Sequence, residues 1–211
     1  MMKRFSLLFM AGLLALCASA QKRTTMFTMF KQNKPATITL NDGRIVKSPH
    51  SNVFLKNAAL LYLQGTDIKE ARMDIISSVD FGERKFINID NRLAYFVDSV
   101  RGNSLYCIEL IDMDSYKRNL KNNVNITHID LSSDHIDAFT NDTNEENDFL
   151  LPVFKHFYYL LDGKIIEAHD RDLWQALDKE RYRLFKTAIS APDFSWSDPE
   201  SLMNILRLIS K

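Results

Sequence analysis

Ala36-Thr37-Ile38-Thr39-Leu40-Asn41-Asp42-Gly43-Arg44-Ile45-Val46-Lys47 is the stretch that decides the fold. Apolar and polar residues alternate through its first five positions, the period of a strand with one buried face. Asn41-Asp42-Gly43 is a tight-turn signal, because glycine reaches positive φ without a Cβ clash. Arg44 to Lys47 then returns as a second strand. The same grammar repeats outward. Val53 to Lys56, Leu60 to Gln64 and Ile68 to Met73 are short strands set apart by Asn57-Ala58 and Gly65-Thr66. Ile75-Ile76 fits a brief helical turn before Ser78 to Phe81. Lys85 to Ile89 follows Gly82, and Leu93 to Val100 and Ser104 to Ile111 flank Arg101-Gly102-Asn103. Short strands with turn chemistry between them predict a β-rich region over 36–111, in the form of a small SH3-like barrel.

Residues 112–211 read as a mixed α/β region packed with the preceding part. Asp112 to Asn122 is a short helix, with Asp112 or Asp114 as its cap. Ile126 to Leu131 and Ile136 to Thr140 read as strands, and Asn141 to Asp148 as a solvated loop. Phe154 to Leu161 and Lys164 to Ala168 make a hairpin around Asp162-Gly163. Its first strand is apolar on both faces and is expected to be central. The tail is helical. Asp170 starts a short helix bearing Leu173, Trp174 and Leu177, and Lys179 to Ser190 follows, with Tyr182, Phe185 and Ile189 on one face. Ser197-Asp198-Pro199-Glu200 reads as a capping box, Ser hydroxyl and Glu carboxylate both turned to backbone donors. Leu202, Ile205, Leu206 and Ile209 then form an apolar stripe. The fold class is therefore α+β, with a C-terminal helical tail.

Ahead of this body, Met1 to Ala20 reads as a signal peptide. Lys3 and Arg4 are its positive start, Phe5 to Leu16 its apolar run, and Ala18-Ser19-Ala20 its cleavage site. The run is too short for about 30 Å of hydrocarbon. A lipobox at Cys17 would need a small residue where Leu16 stands, so ordinary cleavage is the expectation. Residues 21–35 read as a flexible polar leader. Removing the first twenty residues, which hold two basic and no acidic side chains, leaves 25 basic against 27 acidic. No transmembrane span is expected after it. The charge balance argues against nucleic acid, since phosphate neutralisation needs clustered Lys and Arg. Cys107 is then the sole cysteine, which removes an internal disulfide; on a strand it is expected to be buried and inert.

Catalytic motifs are missing. Gly43, Gly65, Gly82, Gly102 and Gly163 all fall at breaks, and no two are spaced for Gly-x-Gly-x-x-Gly or a P-loop. There is no Gly-x-Ser-x-Gly elbow and no His-Glu-x-x-His. His128, Asp130, His135 and Asp137 could pair on two strands as N and O ligands for a divalent metal, but their spacing matches no ligand motif, and exposed polar strand faces are the better reading. Asp142-x-Asn144-x-Glu146-x-Asp148 lacks the glycine of a calcium loop at its sixth position, where Asn147 stands, and the glutamate at its twelfth, where Val153 stands. Phe149, Phe154, Phe157, Tyr158, Tyr159, Trp174 and Trp196 could stack on sugars, although core positions are expected for most. Asp98-Ser99-Val100 has the form of a short Asp-Ser-aliphatic acceptor for O-glycosylation.

Pro35-Ala36-Thr37-Ile38-Thr39-Leu40-Asn41-Asp42-Gly43-Arg44, Val79-Asp80-Phe81-Gly82, Phe157-Tyr158-Tyr159 and Asp193-Phe194-Ser195-Trp196 with the final helix carry a resemblance across most of the chain. By these segments it resembles uncharacterised secreted proteins of gut-associated Gram-negative bacteria, a family with no assigned activity. The resemblance implies location and architecture only. No catalytic, cofactor-binding or metal-binding residue is therefore assigned and no cofactor is expected. The first expectation is a secreted, non-enzymatic binding or structural module, in the periplasm or on the cell surface, whose partner is an envelope protein or glycan. The alternative is an envelope hydrolase or carbohydrate-binding protein. A binding module would expose an apolar patch or sheet edge, whereas a hydrolase would show a deep polar cleft.

Overall fold

Alternating residues in ten segments build one antiparallel sheet in the computed structural model, which describes residues 26–122 and 151–210. The strands are β1 (Lys34–Leu40), β2 (Ile45–Phe54), β3 (Ala59–Gln64), β4 (Asp67–Glu70), β5 (Ile76–Asp80), β6 (Lys85–Ile89), β7 (Arg92–Val100), β8 (Asn103–Ile111), β9 (Val153–Leu161) and β10 (Lys164–Glu167). The helices are α1 (Met113–Asn122), α2 (Asp170–Ala176), α3 (Lys179–Ile189) and α4 (Pro199–Ile209). The chain is α+β, as its patterning predicts. Among the described residues no helix is long and apolar enough to cross a membrane.

The strand order is β10-β9-β8-β7-β6-β5-β1-β2-β3-β4. Two meanders run outward in opposite directions and share the β1–β5 seam, where Ile38 lies opposite Val79. Turn chemistry sets the first hairpin. Gly43 adopts φ +82°, and its N–H donates to the Leu40 carbonyl at 2.9 Å. β9 is paired on both sides, by β8 and β10, and is the strand expected to be interior.

β2 departs from the sequence expectation. The segments beginning at Arg44 and Val53 belong to one ten-residue strand that runs through Pro49. Proline cannot donate to a ladder, so its place is a bulge. The β1 pairing shifts there, from Lys34 opposite Ser51 to Ala36 opposite Ser48. The Ser51 hydroxyl donates to Ser48 Oγ at 2.7 Å inside the buried irregularity. Within the expected leader, Phe27 to Phe30 is packed along β2. Asn52 grips it with its carboxamide: Oδ1 accepts the Phe30 N–H at 3.0 Å and Nδ2 donates to the Phe30 carbonyl at 2.9 Å. The physical reason is apolar: Phe30 is buried against Phe81 and joins the core of Ile38, Val53, Leu60, Val79 and Phe86. Met73–Ile75 is a 3-10 turn, so the strand expected to reach Met73 ends at Glu70.

The second core lies between β8–β9 and the helices. Leu105 and Cys107 of β8 and Phe157, Tyr159 and Leu161 of β9 face α2, α3 and α4. Leu202, Ile205, Leu206 and Ile209 of α4 are buried there, the stripe that the helical period predicts, and Met203 is buried with them. Burial of each contributes roughly 1.5–3 kcal/mol before entropy is charged. The capping box needs correction. Asp198 is the cap: its carboxylate accepts from Ser201 N at 2.8 Å and Glu200 N at 3.4 Å. Proline at the first helical position sets the register, so the carboxylate one residue before it reaches the free N–H groups. Ser197 Oγ instead meets Ser195 Oγ at 2.9 Å, and the Glu200 carboxylate accepts from Arg207 at 2.9 Å.

Candidate functional site

Register brings together the most distinctive surface. Residues directly opposite in antiparallel strands share a face. Phe96 is opposite Tyr106, Tyr106 opposite Tyr158, and Tyr158 opposite Glu167, one row across β7, β8, β9 and β10. Leu110 is opposite Phe154 on one side of this row, and Leu160 opposite Ile165 on the other. Leu105, Cys107, Phe157 and Tyr159 point the other way, to the helices. The face is therefore the one that the helical layer leaves open. Phe96 is 41% exposed, Ile165 47% and Phe154 55%, with Tyr106, Leu110 and Leu160 half-buried. Beside them on the same face, Ile89, Ala94, Ile108 and Tyr158 are buried with Ala58 of the β2–β3 turn. Phe96 and Tyr106 meet edge to face at 5.9 Å, and Arg92 donates to the Tyr158 hydroxyl at 3.2 Å. His156, opposite Ile108, stands half-buried between Phe154 and Tyr158 on this face, and Glu167 is exposed at its end, so the exposed apolar side chains are interspersed with polar ones. A face with a cluster of exposed apolar side chains marks an interaction surface more often than a lone one does. Its margin, β10, is the last strand of the sheet, so its outer backbone edge is open among the described residues.

A polar groove of about 420 Å³ lies at the start of α2, lined by Glu167, His169, Arg171, Asp172 and Gln175. The His169 ring caps the helix, Nδ1 accepting the Arg171 N–H at 3.4 Å, and stacks on Trp196 with centroids 6.0 Å apart. Its ring is thus committed to architecture. Trp174 projects from the same helix and is 61% exposed.

A third cluster lies on the helix-side face of β7–β9. The Tyr95 hydroxyl donates to Glu109 Oε1 at 2.9 Å, Lys155 Nζ lies 3.8 Å from the same oxygen, and Arg84 stacks over the Tyr95 ring. Burial pushes the neighbouring Cys107 thiol up to about 12. Burial first, and then the neighbouring Cys107 sulfur and Glu109 carboxylate, hold the Tyr95 phenol far above its ordinary range. A thiol kept protonated is no nucleophile. The cluster joins three strands.

The expected residues divide as follows. Cys107 is fully buried on β8. Phe157, Tyr158 and Tyr159 are buried and Trp196 is half-buried, while Phe154 and Trp174 are exposed. Ser99 is exposed on β7. His128, Asp130, His135, Asp137, the Asp142–Asp148 loop, Phe149, Cys17, the signal peptide and residues 21–25 lie outside the described residues. Among the described residues no three His, Cys, Asp or Glu side chains gather to hold a metal ion. Among the described residues the carboxyls held below their ordinary range are those of Asp42, Asp74, Asp112 and Asp198. Each is explained by a turn, cap or ion pair: Arg44 N–H for Asp42, the Arg72 guanidinium for Asp74, and Ser115 and Ser201 for Asp112 and Asp198. Residue periodicity alone could not find the open face, because its members are brought together by pairing between distant strands. Comparison with protein-family models, curated proteins and solved structures finds no match to the chain.

Proposed function

We propose that this is an exported, non-enzymatic binding or structural module of a Gram-negative bacterial envelope, and that it docks an envelope protein on the open face of β7–β10. The carrying observation is the exposure of Phe96, Phe154 and Ile165 on the sheet face left open by the helices, beside the buried cluster of Ile89, Ala94, Ile108 and Tyr158. A protein partner is favoured over a glycan because the face runs into the open edge of β10. A strand of the partner can extend the sheet there while its side chains cover the face. Export rests on the signal-like first twenty residues, and the envelope of gut-associated bacteria on the resemblance given by Pro35 to Arg44 and the aromatic tail. The SH3-like description of 36–111 belongs to the same reading. It draws on the β2–β3 turn folding back onto the other meander, where Leu93 N donates to Ala58 O and Ile111 N to Leu55 O, each at 2.8 Å.

A second reading, carbohydrate binding, draws on Trp174, an exposed indole on the helix that supplies three groove residues. Position-specific photocrosslinking in intact cells separates the two. A crosslinker at Phe154 is expected to capture one envelope protein that a crosslinker at exposed Asp74 does not. The capture is expected to vanish when Phe96 and Ile165 are both replaced by Ser. Identical products from both positions, or none, would defeat the docking reading. Retention on a glycan column that Trp174→Ala abolishes would favour the second.

A further inference from the structure

We propose that Ser99 is an acceptor for O-linked glycosylation. Asp98-Ser99-Val100 occurs once in the sequence, and the fold leaves its acid and its serine exposed. β7 is irregular just before it. The register passes from Phe96 opposite Tyr106 to Asp98 opposite Leu105, so Val97 is an extra residue and the strand bulges. Both Asp98 and Ser99 are exposed. The Asp98 carboxylate accepts the Ser99 N–H at 2.8 Å, which holds the acid against the serine's own backbone. The Ser99 hydroxyl has no hydrogen-bond partner among the described residues, whereas those of Ser48, Ser51, Ser115, Ser190 and Ser201 are engaged in bulges, caps and helix ends. Directly across the ladder stands Ser104, a side chain too small to roof the hydroxyl.

The setting is also fixed. Arg101 of the adjoining turn donates to the Ser210 carbonyl at 3.1 Å, and Asn103 donates to Ser210 Oγ at 3.0 Å. By register Ser99 shares a row with Ser104, Leu160 and Ile165, so the acceptor stands at the β7 end of the open face, three strands from Ile165, where a bulky, solubilising group costs no core packing and would border the docked partner. In the step itself, Ser99 Oγ attacks the anomeric carbon of a sugar carried on a lipid diphosphate. The new bond is Oγ to the anomeric carbon. The bond from that carbon to the phosphate oxygen breaks, the diphosphate leaves with the electron pair, and the hydroxyl proton passes to a base of the transferase. Transfer of this kind requires passage into the envelope, so the inference rests on the export proposed above.

Intact-mass spectrometry of the full-length gene product, purified from envelope and cytosolic fractions of Gram-negative cells, tests both. The envelope form is expected to begin after the leader and to exceed its polypeptide mass by whole sugar residues. Ser99→Ala and Asp98→Ala are each expected to return it to the bare mass, while Ser99→Thr keeps the addition. An envelope form that is processed but bare overturns the inference and leaves export standing, as does an addition that survives Ser99→Ala. Protein found solely in the cytosol with its leader intact overturns export and the inference together.

Discussion

The Tyr159 hydroxyl on β9 donates a 2.9 Å hydrogen bond to the main-chain carbonyl of Leu202 in the first turn of α4. Tyr159 is fully buried, and so is Leu202. This contact ties the first turn of α4 to β9, alongside the apolar packing between them. Tyr159→Phe keeps the ring and removes one neutral hydrogen bond, and the Leu202 carbonyl stays within the helix ladder. A loss of about 1 kcal/mol is expected in denaturant unfolding, with an unchanged m-value. Tyr159→Ala removes the ring as well and is expected to cost about 3–5 kcal/mol. Equal losses for the two would show that the hydroxyl contributes nothing.

Asn52 offers a second prediction, about the segment before β1. Its carboxamide satisfies both backbone groups of Phe30 in a buried setting. Asn52→Leu leaves the Phe30 N–H and carbonyl without these partners, at about 1–3 kcal/mol. The segment from Phe27 to Phe30 is then expected to detach, and limited proteolysis ahead of β1 to accelerate well beyond what global stability accounts for. Unchanged cleavage in the variant would mean that burial of Phe30 suffices without the clasp.

Cap identity gives a third. Asp198→Ala is expected to lower the melting temperature, and Ser197→Ala to leave it almost unchanged, because Asp198 alone accepts the free N–H groups of α4. The Ser201 hydroxyl and N–H hold the Asp198 carboxyl below its ordinary range. Its contribution is present above the unfolded carboxyl value near 4 and is lost as pH falls through the lower folded value. The wild-type advantage over Asp198→Ala is therefore expected to shrink in acid. A larger loss from Ser197→Ala would reverse the assignment.

These elements also show what a single sequence makes legible. The stripe of Leu202, Ile205, Leu206 and Ile209 was readable because helical period and burial coincide, and Lys85–Ile89 because alternation and turns bound it on both sides. The continuity of β2 was hidden by Pro49, which reads as a break unless the bulge that accommodates it is known. Phe154 and Trp174 look like core by composition. Whether an aromatic is covered depends on what packs across it, and nothing among the described residues covers these two. The open face is the largest loss. Phe96, Tyr106, Phe154 and Ile165 come from four strands, and only the pairing register places them side by side.

The last prediction concerns alkali and Cys107. Burial pushes its thiol from 9.0 to about 12. The folded protein therefore keeps a proton that the unfolded chain releases. Stability from this group is complete below the unfolded value near 9 and is lost as pH rises toward 12. Tyr95 and Tyr159 act in the same direction, since burial raises both phenols above 10.0, so the decline steepens once pH passes the unfolded tyrosine value. Denaturant unfolding is expected to show a flat plateau to about pH 8.5 and a falling limb beyond it. Cys107→Ala removes the thiol contribution, at a cost in packing, and the limb should then begin later, near pH 10. In the wild-type protein a maleimide should label Cys107 at the rate of unfolding and no faster, because the side chain is enclosed and protonated. Rapid labelling of the native protein at neutral pH would show instead that the helical layer opens over β8 without global unfolding.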